Sequence, residues 1–418
     1  MSPSARSVAL ALLSVALLAC TACVRVNVHG DPESYRTTMS ADASLRIATY
    51  NASLYADETD GLRARLEAGD AGARKVAAVL QRVRPDVVLL NEFDYDADGR
   101  AADLFQRRYL ETPQAGGGEG LRYPYRYFAP VNTGVPSGLD LDGNGTVGGD
   151  GRERGNDAWG YGLHPGQYGM LLLSKYPIDT AAARTFRQLR WSAMPGAHRP
   201  RDPDSGQWWH PDAVWSQLRL SSKSHWDVPV RTPAGVLHVL ASHPTPPVFD
   251  GPEDRNGARN ADEIRLWTEY LSPGDKPWLC DDRGRCGGLE ADARFVILGD
   301  LNNDPVDGDG RHEAIVELLE HPRVLRYPTP ASEGAAIAAA TGADAATEGT
   351  GPARRGAPAH ATGDFGPRVG PLRLDYVLPS TGFEFVDSGV FWPPPSDPAA
   401  AIIDGSDHRL VWVDLRLP

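Results

Sequence analysis

Phe295-Val-Ile-Leu-Gly299-Asp300-Leu-Asn302-Asn303-Asp304-Pro305 is the stretch that decides how the chain is read. An apolar run of strand length discharges into Gly-Asp-x-Asn, so a buried strand delivers a carboxylate and a carboxamide, two residues apart, at its carboxyl end. Rigid scaffolds present polar chemistry at a sheet rim in this way. Gly, Asp and Asn are equally the residues of ordinary turns. The two readings separate on whether other strands end alike.

Several do. Leu45-Arg-Ile-Ala-Thr-Tyr50 alternates as a strand and stops at Asn51. From Gly61 to Arg84 the apolar spacing predicts a helix interrupted near Gly69 to Gly72. Pro85 ends it, and the apolar strand Asp86–Leu90 runs into Asn91-Glu92-Phe93-Asp94. Tyr168–Ser174 reads as another buried strand, with a turn at Pro177. Further strands are expected at Ala213–Leu220, Trp226–Val230, Val236–Ser242, Leu372–Leu378, Phe383–Phe391 and Leu410–Leu415, and helices at Ala101–Leu110, Asp262–Leu271 and Arg311–Glu320. The pattern predicts an α/β (α+β) fold, a four-layer sandwich of two mixed sheets packed face to face with helices outside. One domain spans 45–418, with long inserts around 111–166 and 329–368, the latter read as a flexible insert rather than a domain.

The 418 residues include 44 Gly and 35 Pro, which call for many turns, and carry a formal net charge of −13. That balance disfavours non-specific duplex binding and suits divalent cations. Residues 1–22 read as an export signal: Arg6 precedes an apolar run, Val8–Leu18, too short to span a membrane. Leu17-Leu18-Ala19-Cys20 resembles the bacterial lipoprotein processing box; plain secretory cleavage after Ala22 is the other reading. Residues 23–44 form a tether. The expected place is outside the cytoplasm, as a monomeric cell-envelope lipoprotein held to the membrane through its amino-terminal lipid, or as a secreted protein. Cys280 and Cys286 read as a disulfide closing a small surface loop, a metal site being the alternative.

Asp140-Leu-Asp142-Gly-Asn144-Gly145 matches the opening of a calcium loop, although Gly151 stands where a twelfth-position Glu belongs. A structural Ca2+ and an Asx-rich polar loop are both open. Trp208, Trp209, Trp215 and Trp226 are either a stacking surface for a ligand or core.

Polar residues at six element boundaries then fall into one set: Asn51, Asn91-Glu92, Ser242-His243, Asp300 with Asn302, Asp375, and Ser406-Asp407-His408. Acids, amides and two histidines are what hydrolytic chemistry requires, and so many carboxylates together call for a cation or a proton. Thr49-Tyr50-Asn51, Leu90-Asn-Glu92, Leu173-Ser-Lys-Tyr-Pro177, Ser242-His243, Gly299-Asp300-Leu-Asn302, Leu374-Asp375-Tyr376 and Ser406-Asp407-His408 together resemble the endonuclease/exonuclease/phosphatase superfamily of deoxyribonuclease-I-like phosphoesterases. The resemblance implies Mg2+ or Mn2+ held by Glu92 with Asn51 and Asp407. It implies His408 as general base oriented by Asp375, Asp300 aligning water or metal, Asn302 donating to phosphoryl oxygens, and His243 contacting the phosphate or the leaving oxygen. The long loop after His243 adds Arg255, Arg259 and Asn260 as candidate substrate ligands. The expected function is hydrolysis of a phosphodiester or phosphomonoester, a small molecule or lipid head group before nucleic acid. An extracellular nuclease and a non-catalytic binding module on the same fold are the alternatives.

Overall fold

Thirteen strands form among the described residues of the computed structural model, which are 44–233, 235–345 and 354–416. The 1–22 signal and all but the last residue of the 23–44 tether lie outside them. In chain order the strands are β1 Leu45–Leu54, β2 Val87–Phe93, β3 Tyr125–Tyr127, β4 Met170–Ser174, β5 Arg184–Thr185, β6 His225–Thr232 and β7 Gly235–Ser242. They continue as β8 Phe295–Asp300, β9 Gly363–Asp364, β10 Pro371–Leu372, β11 Asp375–Pro379, β12 Glu384–Val390 and β13 Val411–Arg416.

One sheet has the order β12-β13-β1-β2-β4-β3 and the other β11-β8-β7-β6-β5; β9 and β10 pair separately. Both are mixed. The parallel pair β1/β2 is joined by the helices Gly61–Ala68 and Ala71–Val83, and β7/β8 by the helix Arg255–Leu271, because parallel neighbours need a crossover.

Strand alternation builds the layers. Val87 and Leu89 point to the space between the sheets, where they meet Val228, Val239, Val296 and Leu298. Their neighbours Val88 and Leu90 face the other way, against Val76, Val79 and Leu80. On the second sheet Leu240 and Ile297 cover Ile264, Trp267, Ile315 and Leu318. The result is the expected four-layer sandwich, each fully buried aliphatic contributing about 1.5–3 kcal/mol. Arg46 ties the strand edge at β1/β13 with a two-pronged bond to Asp414, both contacts 2.7 Å.

One local expectation fails. Ala213–Leu220 is not a continuous strand: Asp212–Trp215 is a short helix opened by Pro211 and an Asp in its first turn, and Arg219 makes only an isolated bridge to Arg190. Part of the insert 329–368 carries regular structure. Glu333–Ala345 is helical, a segment whose alanines favour helix without the apolar period that would have signalled it.

Leu298 is fully buried midway between the sheets. Leu298→Ala is expected to cost about 2–5 kcal/mol in urea unfolding with little change in the slope. A loss under about 1 kcal/mol would contradict this account of the inner layer.

Candidate active site

β8 ends at Asp300, and the register of the second sheet sets Asp375, the first residue of β11, directly across from it. In the other sheet Asn51 of β1 lies opposite Asn91 of β2. Asn91 then bridges the sheets: its Oδ1 accepts the Asp300 backbone N–H at 3.1 Å and its Nδ2 donates to the Ser242 carbonyl at 3.3 Å. The strands approach so closely that Gly299 admits no side chain. A Cβ there would lie 2.1 Å from the Ser242 oxygen.

Three groups converge on one oxygen. Asp300 Oδ2 accepts from Asn51 Nδ2 at 3.0 Å and lies 3.4 Å from His243 Nε2 and 3.5 Å from His408 Nε2. His408 Nδ1 is 2.8 Å from Asp375 Oδ2, which also accepts from the Thr362 hydroxyl at 2.8 Å. Thr362 Oγ1 in turn takes the backbone N–H groups of Leu374 and Asp375. Asp375 Oδ1 and His243 Nδ1 are buried without a partner among the described residues. Glu92, His243, Asp300, Asn302, Asp407 and His408 all line one cavity of about 610 Å³.

The electrostatics follow from this packing. Burial pushes the Glu92 carboxyl up from 4.5 to about 7, with His408 and Asn51 opposing. Burial also raises Asp375 to about 6, against the pull of His408. Asp300 is held below the usual carboxylate range, because His408 and then His243 outweigh the burial that would raise it. His408 is raised to about 10: burial lowers it, but the carboxylates of Asp375 and Asp300 outweigh that. Burial and the nearby charge of Lys223 lower His243 to about 4. Asp375 and Asp300 thus favour a proton on His408, whereas burial favours the neutral form of His243.

Asp300, Asp375 and His408 bring metal-competent atoms within 4.8 Å of one another, with Glu92 and Asn51 beside them. Hard oxygens of this kind, one of them the partnerless Asp375 Oδ1, fit a divalent cation. Asp407 is exposed at the cavity rim, reached by Ser53 Oγ at 3.4 Å.

Of the residues expected to bind substrate, Arg255 lines the cavity, paired with Glu253. Arg259 also lines the cavity but is largely spent on structure, donating to the carbonyls of Leu220, Trp159 and Arg219. Asn260 is a correction: it is fully buried behind the cavity wall, where it bonds Thr245, Leu301 and Asn303. The helix begins at Arg255 rather than Asp262, so both residues sit on a helical face instead of a loop. Asn302 adopts a positive φ of 52° and donates to the Pro244 carbonyl while lining the cavity.

Asp140 and Asp142 gather with Asp157, a third carboxylate that the calcium-loop pattern does not include. Asp140 and Asp157 oxygens take backbone N–H groups, and Asn144 Oδ1 takes that of Thr146, as in Asx turns. Trp226 is core, and Trp208 packs against Arg199 and Arg201 outside the cavity. The Cys280–Cys286 disulfide is formed. Thr362, Asn91 and Lys223 are the site residues that sequence reasoning gave no role.

The sequence profile of the Endonuclease/Exonuclease/phosphatase family matches residues 48–408. No curated protein matches the sequence. Among solved structures, an endonuclease/exonuclease/phosphatase from Beutenbergia cavernae DSM 12333 is similar, with 17% identity and a TM-score of 0.46 over 90% of this chain and 72% of that one. Sphingomyelinase C from Streptomyces griseocarneus is similar at 17% identity and TM-score 0.40, over 89% of this chain and 99% of that one. A Staphylococcus aureus beta toxin mutant with bound magnesium ions gives 13% identity and TM-score 0.38, over 90% and 100%.

Because Glu92 loses its proton as pH rises through about 7, and only the carboxylate is a ligand, magnesium binding is expected to be tighter near pH ~8 than near pH ~6. Calorimetric titration at both values checks this, with Glu92→Gln expected to weaken binding and flatten the dependence. Equal wild-type affinities at the two values would remove Glu92 from the ligand set.

Proposed function

The chain belongs to the endonuclease/exonuclease/phosphatase family, whose members hydrolyse phosphoester bonds, and on that premise we propose that it is a metal-dependent phosphoesterase acting through a water activated at His408. The observation that carries this reading is the convergence of Asn51, His243 and His408 on Asp300 Oδ2, with Asp375 behind His408, inside one cavity. Such a base and orienter pair is the usual means of taking a proton from an attacking oxygen.

The parts act as follows. Asp375 accepts the Nδ1–H of His408, which fixes the tautomer that leaves Nε2 to face Asp300 and the water. Once His408 has given up its own proton, the water oxygen bonds to phosphorus, the water proton passes to Nε2, and the bond from phosphorus to the leaving oxygen breaks. Asn302 lies where it can donate to a phosphoryl oxygen, while the single N–H of a neutral His243 faces Asp300 and its ring borders the phosphate position. Glu92, Asn51 and Asp300, with Asp407 at the rim, would hold Mg2+ or Mn2+. When bound, the cation supplies neutralisation of charge on the phosphoryl and leaving oxygens.

A cavity of about 610 Å³ and the acidic balance of the chain support a small phosphoester or a lipid head group ahead of duplex DNA. The leader pattern of residues 1–23 supports an exported protein with a lipid on Cys20.

Bis-p-nitrophenyl phosphate with magnesium tests the reading. Wild-type turnover is expected, abolished by a chelator and restored by Mg2+ or Mn2+, with His408→Ala and Asp300→Ala slower by about 10²–10⁴-fold. Equal rates in all three proteins would sink the mechanism.

A further inference from the structure

Lys223 precedes β6 in Ser221-Ser222-Lys223-Ser224, a segment with no catalytic signature. Its side chain lines the cavity and the residue is only 6% exposed. An ammonium offers three donors. None of them meets a hydrogen-bond acceptor or a carboxylate within ion-pair distance among the described residues. Its head therefore reaches the cavity with donors uncommitted to the protein, and an anion entering there can take them.

Three carboxylates surround it, and none satisfies it. Glu263 belongs to the helix Arg255–Leu271 and spends both oxygens elsewhere: Oε1 on the Ser222 N–H at 2.6 Å and the Ser222 hydroxyl at 3.0 Å, Oε2 on the Thr245 N–H at 2.6 Å. Burial lowers the Lys223 ammonium from its ordinary value and Arg259 adds to this, while the charges of Glu263, Glu92 and Asp300 oppose it from a distance. The backbone, meanwhile, is fixed on both sides. Ser222 is held by Glu263, and the Lys223 carbonyl accepts the Asn132 N–H at 2.9 Å. A pinned backbone under a free charged head is how a protein holds a ligand group in position before the ligand comes.

The same cavity carries Glu92, Asp300 and His408, so an anion that meets Lys223 lies beside the groups assigned to phosphoester hydrolysis. We infer that Lys223 is a further catalytic residue, binding a non-bridging oxygen of the phosphoryl group under attack and stabilising the charge that grows on it. This rests on the phosphoesterase reading for the reaction, but not for the anion itself. No proton need move: the ammonium donates hydrogen bonds and neutralises charge, the role of a fixed cation at a developing oxyanion.

The test pairs kinetics with a binding measurement that needs no turnover. Lys223→Met, Lys223→Gln and Lys223→Arg are compared with the wild type for hydrolysis of bis-p-nitrophenyl phosphate, and for binding of inorganic phosphate by phosphorus NMR line broadening with magnesium present. Met and Gln are expected to lower kcat/KM by about 10²–10³-fold, mostly in kcat. They should also weaken phosphate binding by at least about tenfold, while Arg restores part of both. Thermal melting identifies folded variants, and Gln, with nearly the reach of Lys, serves if Met does not fold.

Wild-type kinetics and phosphate affinity in a folded variant lacking the ammonium would overturn the inference. So would lost activity with unchanged phosphate affinity, which would make Lys223 a prop for Glu92 or Asp300. A wild type that turns over no phosphoester would instead fell the proposed function. Phosphate binding lost in Lys223→Gln would then still support the anion site.

Discussion

One buried carboxylate oxygen, Asp300 Oδ2, holds the two sheets to a common purpose. Asn51 reaches it from the first sheet, His243 from the end of β7 and His408 from the approach to β13. A carboxylate removed from water must be supplied with hydrogen bonds or charge, and here both come from residues far apart in sequence. Removing any one donor leaves the others facing an under-solvated charge. The site is therefore a condition on how the sandwich packs as well as a consequence of it.

The main chain makes that convergence possible. Asn91 spends its amide on joining β2 to β8 and β7, and Gly299 lets the backbones close to a distance that no side chain would tolerate. Thr362 then locks the start of β11, so that Asp375 arrives across from Asp300 with one oxygen on His408. Backbone hydrogen bonds under each polar side chain leave little freedom to these groups. In the proposed reaction, groups placed this way would need less reorganisation.

Much of this was written in the sequence in a form that simple periodicity can read. Apolar runs ending in Asn51, Glu92 and Asp300 identify the rim, because a strand buried on both faces shows no polar residue until it leaves the core. The layer order follows from the same runs. What could not be read is where a side chain spends its hydrogen bonds. Arg259 and Asn260 look like loop residues only because Arg255-Asn-Gly-Ala-Arg-Asn260 lacks an apolar period and includes Gly257, a weak helix former. Lys223 and Thr362 sit in segments whose local composition is that of any polar turn. Their significance comes from tertiary neighbours, which no window of sequence contains.

Charge bookkeeping gives the site its final shape. The carboxylates of Asp375 and Asp300 raise His408, and the charge of His408 in turn holds Asp300 below the usual carboxylate range, while burial lowers His243 and raises Glu92. Opposite charges set side by side are what let these ionisable groups share a buried space. In the proposed hydrolysis His408 must lose its proton before it can accept one, and a positive charge beside Asp300 would weaken the field that holds that proton in place.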